Sequence, residues 1–223
     1  MPETLQHFIH LLLHIDVYLN TVISTYGFAT YAILFLIIFC ETGLVVTPFL
    51  PGDSLLFAAG TLAANSNNNF SIQILFISLM LAAILGNKLN YLIGRFAGPK
   101  IFHSQRSWLL NKKHLVEAHA FYDKHGGKTI IFARFIPIIR TFVPFVAGLA
   151  SMPLQVFAFY NVLSGIIWVG SLLGAGYFLG SLPWVSNNFS MVIYGIIAVS
   201  LLPPIVTFCY QKSKAIFADS ADN

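Results

Sequence analysis

Only two charged residues lie between Asp16 and Lys88. The 24 residues 17–40 contain no Asp, Glu, Lys or Arg, and Glu41 ends this run. Eleven uncharged residues separate Glu41 from Asp53, and another 34 precede Lys88. Both acids therefore lie in a stretch as apolar as the inside of a membrane, where an ionised side chain is costly and points to function.

Three stretches are apolar over a length that can cross a bilayer, which takes about 20 residues of helix. They are residues 70–94, 156–182 and 191–211. Uncharged polar turns precede the first and the last of them, at 65–69 and 186–188. The pattern predicts an all-α polytopic membrane protein.

Two further apolar stretches, 27–64 and 130–152, are interrupted by proline and glycine. The interrupting residues are Pro48, Pro51 and Gly52 in the first stretch and Pro137, Pro144 and Gly148 in the second. Backbone groups freed at such breaks cannot face lipid and must lie against protein or a water-filled cavity.

The first 26 residues mix apolar and polar positions. His7, His10, His14 and Asp16 interrupt the apolar run, which favours an amphipathic helix at the membrane interface over a spanning helix. Three histidines at i, i+3 and i+7 would also fit a metal-binding or pH-sensing stripe, but the polar edge of an interfacial helix is the better interpretation.

The composition excludes a soluble domain. Of the 223 residues, 57% are hydrophobic and only 9% are charged, whereas soluble domains average roughly 25% charged residues. Cys40 and Cys209 both lie in apolar runs, so a disulfide is not expected. The sequence has no nucleophile with its base at a recognisable spacing, no metal-ligand cluster and no glycine-rich phosphate loop. No cofactor and no metal are therefore expected.

The basic residues predict the orientation of the chain. Residues 95–128 carry seven Lys and Arg against two acidic residues, a net charge of +5, and Lys212 and Lys214 follow the last predicted span. The positive-inside rule therefore places this segment and the C-terminus in the cytoplasm. No motif that reads nucleic acid accompanies the charge, so nucleic acid is not an expected partner.

The two halves of the chain resemble each other. Gly60 and Tyr91 are 31 residues apart in the first half, and Gly148 and Tyr177 are 29 apart in the second. Each half thus combines a short, proline-interrupted segment with a glycine-rich span, which indicates the binding site of an inverted-repeat transporter. Because one span separates the two broken segments, we predict two re-entrant hairpins that enter from opposite faces and meet near mid-membrane.

The second hairpin carries charges opposite to those of the first. Arg134 and Arg140 flank Pro137, and arginine does not lose its charge in proteins. We therefore predict that these arginines face Glu41 and Asp53 in a polar cavity. A static set of salt bridges that merely pins the hairpins together is the alternative interpretation.

The whole chain, 1–223, is predicted to form a single membrane domain. Its parts are an interfacial helix (1–26), a first repeat (27–94), a basic cytoplasmic linker (95–128), a second repeat (129–182), a last transmembrane helix (191–211) and a cytoplasmic tail (212–223).

Three motifs resemble those of the DedA family of bacterial inner-membrane proteins, which is related to the eukaryotic VTT-domain proteins. They are ETGLVVTPFLPGDSLLFAAG (41–60), GNKLNYLIGR (86–95) and FARFIPIIRTFVPFVAG (132–148). The resemblance covers about residues 15–210. Asn87 stands where many members of the family have Asp, so this position is not expected to carry protons.

The resemblance implies translocation of lipids, including undecaprenyl phosphate, and membrane homeostasis linked to the proton motive force. It implies that Glu41 and Asp53 are the functional acids and that Arg134 and Arg140 are the functional arginines. Expected partners are then the lipid bilayer, an anionic lipid and protons, and a homo-oligomer is left open.

The chemistry of these side chains fits a transporter or flippase rather than an enzyme. Arginine binds phosphate through paired, planar hydrogen bonds, and a carboxylate near it can take up and release protons. An integral membrane lipid phosphatase and a structural or assembly-assisting membrane protein are the alternatives.

Overall fold

A computed structural model describes residues 28–44, 52–64, 70–101 and 126–180, with isolated positions between 182 and 195; the side chains of 97–101 and 137–138 are not described. Several predictions lie outside the described residues. They concern the interfacial helix (1–26), Pro48 and Pro51, the turn at 65–69, most of the linker (95–128), most of the last transmembrane helix (191–211) and the tail (212–223).

The regular structure in the described ranges is helical, as predicted. Its six helices are α1 (Ala29–Gly43), α2 (Gly52–Ala64), α3 (Ile72–Ile101), α4 (Lys128–Ala133), α5 (Pro137–Leu149) and α6 (Leu154–Gly180). By length and composition, two stretches can cross a membrane: Ile72–Phe96 in α3 and Leu154–Gly180 in α6. These are the spans predicted at 70–94 and 156–182.

Helix α3 continues seven residues beyond its predicted end at Gly94, so the start of the predicted linker is helical. Arg95 donates a hydrogen bond from Nη1 to the Tyr91 hydroxyl one turn earlier, at 2.8 Å. An arginine can bury its aliphatic stem while its charged head reaches a polar region. The basic residue therefore marks the end of the apolar run but not the end of the helix.

The two long helices expose apolar side chains and bury polar ones. Ile77 and Leu81 of α3 and Phe159 and Phe178 of α6 are exposed, whereas the polar Asn161 of α6 is buried. A soluble protein would place its polar side chains outside. The outer faces of α3 and α6 are suited to lipid.

The buried apolar side chains form two clusters. The larger one joins α1 and α2 to the first half of α3 and the second half of α6, with Leu56 and Trp168 among its fully buried members. The smaller one joins the end of α3 to α4, α5 and the start of α6, around Tyr91 and Phe157. Their rings stack with centroids 4.3 Å apart.

The short helix of each half packs against the long helix of the other half. Gly60 of α2 touches the α6 backbone at Leu173 and Tyr177, and Gly148 of α5 touches the α3 backbone at Tyr91. A Cβ atom at either glycine would collide with that backbone.

The same contacts are reciprocal. Gly176 of α6 lies against the Phe57 carbonyl of α2, and Gly94 of α3 lies against the Phe145 carbonyl of α5. In both pairs, the Phe carbonyl of the short helix meets a Gly of the long helix, and the Gly three residues later on the short helix meets the carbonyl of the residue three positions before that long-helix Gly. The matched packing relates the two halves.

The second broken segment has a single described break, between α4 and α5. Ile136 is extended (φ −112°, ψ 109°) and Pro137 begins α5, a position that suits proline because the first helical N–H needs no partner. Pro144 and Gly148 were also predicted to interrupt the segment, and this was wrong: both lie inside α5. Pro144 removes one helical hydrogen bond, to the Arg140 carbonyl, and the helix continues.

Candidate functional site

Three of the four predicted charged residues meet where three short helices converge. Glu41 lies in the last turn of α1, Asp53 in the first turn of α2 and Arg140 in the first turn of α5. Arg140 donates from Nη2 to Glu41 Oε1 and from Nη1 to Asp53 Oδ1 at 2.6 Å. One guanidinium group therefore bridges both acids.

Glu41 is fully buried and also caps helix α2. The backbone N–H of Gly52 donates to Glu41 Oε1 at 3.1 Å. A carboxylate at a helix N-terminus is favourable because it meets unpaired N–H groups and the positive end of the helix dipole. The carboxylate leaves no room for a Cβ atom at Gly52. Glycine at this predicted hairpin position therefore lets the acid approach the backbone.

Arg134 lies in the break between α4 and α5, and its environment differs from that of Arg140. It is 2% exposed, and its Nη1 donates to Ser164 Oγ at 2.8 Å and to Asn161 O and Oδ1 at 3.3 Å. Its Nη2 donates to the Ala83 carbonyl at 3.0 Å. Among the described residues, every hydrogen-bond acceptor of Arg134 is uncharged.

The hydrogen bonds around Arg134 extend to further residues through amide side chains. Asn161 accepts a hydrogen bond from Asn87 Nδ2 at 3.1 Å and donates one to the Ile84 carbonyl at 2.9 Å. Asn87 thus orients an acceptor of Arg134. An uncharged amide here agrees with the expectation that this position does not carry protons, which stays a prediction.

Asn90 ties the two broken segments to α3. Its Nδ2 donates to the Thr141 carbonyl of α5 at 2.8 Å and to the Thr42 carbonyl of α1 at 3.3 Å. These carbonyls belong to the residues directly after Glu41 and Arg140. The amide therefore fixes the distance between the acid and the arginine.

Sequence reasoning missed Trp168, which is fully buried against the charged residues. Its Nε1 donates to Asp53 Oδ1 at 3.0 Å. The guanidinium carbons of Arg140 and Arg134 lie 5.2 and 5.3 Å from the centre of its indole ring, within the range of a cation–π interaction. Trp168 thus contacts Asp53 and both arginines.

A signal for this face exists in the sequence. Asn161, Ser164 and Trp168 are spaced i, i+3 and i+7, which puts their side chains on one side of a helix. They are polar or carry a donor in a helix that is mostly apolar. The stripe marks the side of α6 that faces the charged residues.

Two arginines and two acids give the cluster a formal charge of zero. Bringing four ions out of water is expensive, and removing one partner leaves an uncompensated buried charge. Among the described residues, Glu41 Oε2 and the Nε atoms of Arg134 and Arg140 are buried without a hydrogen-bond partner. The cluster therefore retains unused hydrogen-bonding capacity at its centre.

The predicted hairpin residues divide between the site and the scaffold. Gly52 contacts Glu41, and Pro144 lies one turn after Arg140. Gly148 lies away from the charges, against Tyr91 of α3. Its role in the described structure is helix packing.

Comparison with known proteins gives a consistent result. The VTT domain profile matches residues 50–178. Protein DedA of Escherichia coli (strain K12) is 50% identical over 207 residues, which are 93% of this chain and 94% of that protein. Inner membrane protein YghB of the same strain is 36% identical over 165 residues, 73% of this chain and 74% of YghB.

A third relative, Inner membrane protein YqjA of Escherichia coli (strain K12), is 38% identical over 155 residues, 69% of both chains. No solved structure matches the chain. The VTT domain profile covers more than half of the chain, and the similarity to DedA extends over nearly all of it. The chain belongs to the DedA family of VTT-domain membrane proteins.

Proposed function

We propose that this protein is a flippase that moves an anionic lipid headgroup across the bacterial inner membrane, with transport coupled to protons. The substrate class is a polyprenyl phosphate such as undecaprenyl phosphate, or a phospholipid. Two relatives are named inner membrane proteins, which supports the location. The proposal favours transport over an enzyme that cleaves the lipid and over a purely structural protein.

The observation that carries the proposal is the bridge from Arg140 to Glu41 and Asp53. It lies among helices whose outer faces are apolar, and Trp168 beside it is close to the middle of the 27-residue helix α6. Ionisable groups at such depth are costly and mark substrate or proton pathways. A bridge between one arginine and two acids can also exchange partners.

The exchange follows from the chemistry of the three groups. With both acids ionised, the Arg140 fork is occupied by carboxylates. Protonating one acid weakens the interaction of that acid with the guanidinium. The guanidinium then donates its hydrogen bonds to the phosphate of a lipid headgroup instead. Releasing the proton restores the carboxylate, which displaces the phosphate. Proton movement and headgroup movement are thereby linked.

Arg134 has a different part in this mechanism. Its hydrogen bonds to Asn161, Ser164 and Ala83 leave it a fixed positive charge next to the bridge. We assign it the role of keeping the site attractive to an anion when Arg140 is paired with an acid. The phosphate contact itself belongs to Arg140.

The reciprocal packing supports two re-entrant hairpins related as an inverted repeat. Gly60 and Gly148 occupy matching contacts on the opposite long helices, as expected of two halves that repeat one fold. In this arrangement, the two hairpins enter from opposite faces of the membrane.

The experiment is reconstitution of the purified protein into liposomes. Leaflet exchange of undecaprenyl phosphate and of ordinary phospholipids is measured between about pH 6 and 8.5, the range in which a coupling acid must titrate, with and without a pH gradient. We expect a rate that depends on pH and responds to the gradient. The variants Glu41→Gln, Asp53→Asn, Arg134→Ala and Arg140→Ala should each lose translocation.

The alternatives give different results in the same vesicles. Release of inorganic phosphate from labelled lipid would favour an enzyme. Failure of all four variants to accumulate would favour the static salt-bridge set. A wild-type rate that ignores both pH and gradient would contradict coupling and leave passive lipid passage.

A further inference from the structure

Trp168 contacts the charged site through two different parts of its side chain. The indole N–H donates to Asp53 Oδ1, the same oxygen that accepts a hydrogen bond from Arg140 Nη1. The ring lies within 5.3 Å of both guanidinium carbons. Trp168 therefore touches the acid, the arginine that it pairs with and the second arginine.

The surroundings of Asp53 show why such a contact matters. Among the described residues, the charged groups near it include Arg140 of α5, which donates to its Oδ1, Glu41 of α1, which shares that arginine, and Arg134, which lies over the same indole ring. When Arg140 leaves Asp53, the carboxyl group loses the hydrogen bond that Nη1 donates at 2.6 Å. The indole N–H is only a donor, so it can keep its bond to Oδ1 whether the acid is ionised or protonated through the other oxygen.

The ring gives a matching constraint on the arginines. Arg134 and Arg140 carry like charges in a buried place, where their repulsion is weakly screened. The face of an indole attracts a cation, and both guanidinium groups lie over this one ring. Removing the ring would leave both cations without this shared neutral partner.

We propose that Trp168 is a positioning residue that holds Asp53 in place while Arg140 changes partners. Its ring holds the two guanidinium groups in fixed positions relative to each other. The proposal rests on the proposed function, because the exchange of partners is the step that it serves. The N–H and the ring make separable contributions, so two substitutions can distinguish them.

Trp168→Phe keeps one aromatic ring and removes the N–H donor together with the five-membered ring of the indole, whereas Trp168→Leu removes the donor and the whole aromatic system. In liposomes, Trp168→Phe should slow translocation by about tenfold or more, as expected for one lost hydrogen bond to a charged group, and should displace the pH profile. Trp168→Leu should lose translocation altogether. Trp184 is exposed, and Trp184→Phe is the matched control that should retain the wild-type rate and profile.

Two outcomes would overturn the proposal. One is a Trp168→Phe protein with wild-type rate and pH profile. The other is a uniform drop in rate for Trp168→Phe with an unchanged pH profile and a lower melting temperature, because a packing role predicts that pattern.

A second measurement does not depend on transport. The chain has three tryptophans, so the ¹⁵N-labelled protein in detergent has three indole N–H resonances, and Trp168→Phe identifies one. Asp53→Ala should shift this resonance and leave that of Trp184 in place; an unmoved Trp168 resonance would overturn the proposal. If the resonance shifts but the wild-type protein moves no lipid, the proposed function fails and the Trp168–Asp53 contact stands.

Discussion

Two residues of the same type have different environments at this site. Arg140 is shared by two acids, whereas the acceptors of Arg134 are two side chains and two backbone carbonyls without charge. Their environments cannot be distinguished from the sequence, since both arginines flank Pro137. Their different environments follow from position: Arg134 lies in the break, and Arg140 lies in the first turn of the next helix.

The bridge makes a prediction about charge balance. Arg140→Met leaves two carboxylates in a buried place without their partner, which should lower the free energy of unfolding by about 3–5 kcal/mol. Adding Glu41→Gln and Asp53→Asn removes both unpaired carboxylates and leaves Arg134, which keeps its uncharged acceptors. This triple variant should regain most of the melting temperature in detergent and still move no lipid.

The single variants Glu41→Gln and Asp53→Asn are the controls for this prediction, because they give the change in melting temperature when one acid is neutralised and Arg140 is kept. Translocation by the triple variant would show that the charges are not needed for transport. A triple variant no more stable than Arg140→Met alone would show that loss of shape, and not unpaired charge, causes the instability.

The convergence of Glu41, Asp53 and Arg140 could be predicted from the sequence because charges are so rare in these segments. The neighbours of Arg134 could not. Helix α6 is apolar nearly all round, so hydrophobic periodicity does not show which side faces inward. Only the spacing of Asn161, Ser164 and Trp168 carries that information, and an aromatic residue in a membrane helix usually suggests lipid contact.

At the scale of helices, glycine sets how closely the two halves approach. Gly60 and Gly148 each bring one helix backbone against another, as small residues do in membrane helix packing. The sequence predicted breaks and spans, but not where each helix ends. Helix ends depend on hydrogen bonds such as Arg95 to Tyr91, and Pro144 is tolerated inside α5 because surrounding contacts outweigh one lost bond.

Alanine substitutions test this packing with a matched control. Gly60→Ala and Gly148→Ala should each lower the free energy of unfolding by about 1–3 kcal/mol, since the added methyl group overpacks a backbone contact. Gly174 has nothing within 4 Å of an added Cβ atom. Gly174→Ala should be neutral or slightly stabilising, because alanine favours a helix by roughly 1 kcal/mol over glycine.

Thermal unfolding in detergent measures all three variants. Equal melting temperatures for Gly148→Ala and Gly174→Ala would contradict the close approach of α5 to α3. A lower melting temperature for Gly148→Ala but not for Gly60→Ala would mean that the two halves do not pack in matching ways.

At the scale of the whole molecule, the charge bias predicts an orientation. A tag near Asn111 or a reporter after Asn223 should lie in the cytoplasm, and tags at Asn67 or Asn187 should react with an impermeant label from outside, by the positive-inside rule. Labelling of intact and opened cells compares the four positions. Cytoplasmic exposure of Asn67 would place both broken segments on one face and refute the inverted repeat.

Each short helix packs against the long helix of the other half, and this packing has a consequence for synthesis of the chain. Asn90 of α3 and Thr141 of α5 are 51 residues apart, whereas Thr61 of α2 and Gly176 of α6 are 115 apart. At 5–20 residues per second, a ribosome makes α5 roughly 3 to 10 s after α3, but makes α6 roughly 6 to 23 s after α2.

Helix α5 therefore emerges when its partner has already been made, and α2 must wait. During that interval, Gly60 and Asp53 of α2 lack helix α6, which covers them in the folded protein. Only the insertion machinery or lipid can shield them. A chain truncated near residue 153 and released from the ribosome should form the Asn90–Thr141 contact between α3 and α5, whereas α2 lacks its α6 partner. Its α2 segment is then the part that a membrane quality-control protease would recognise.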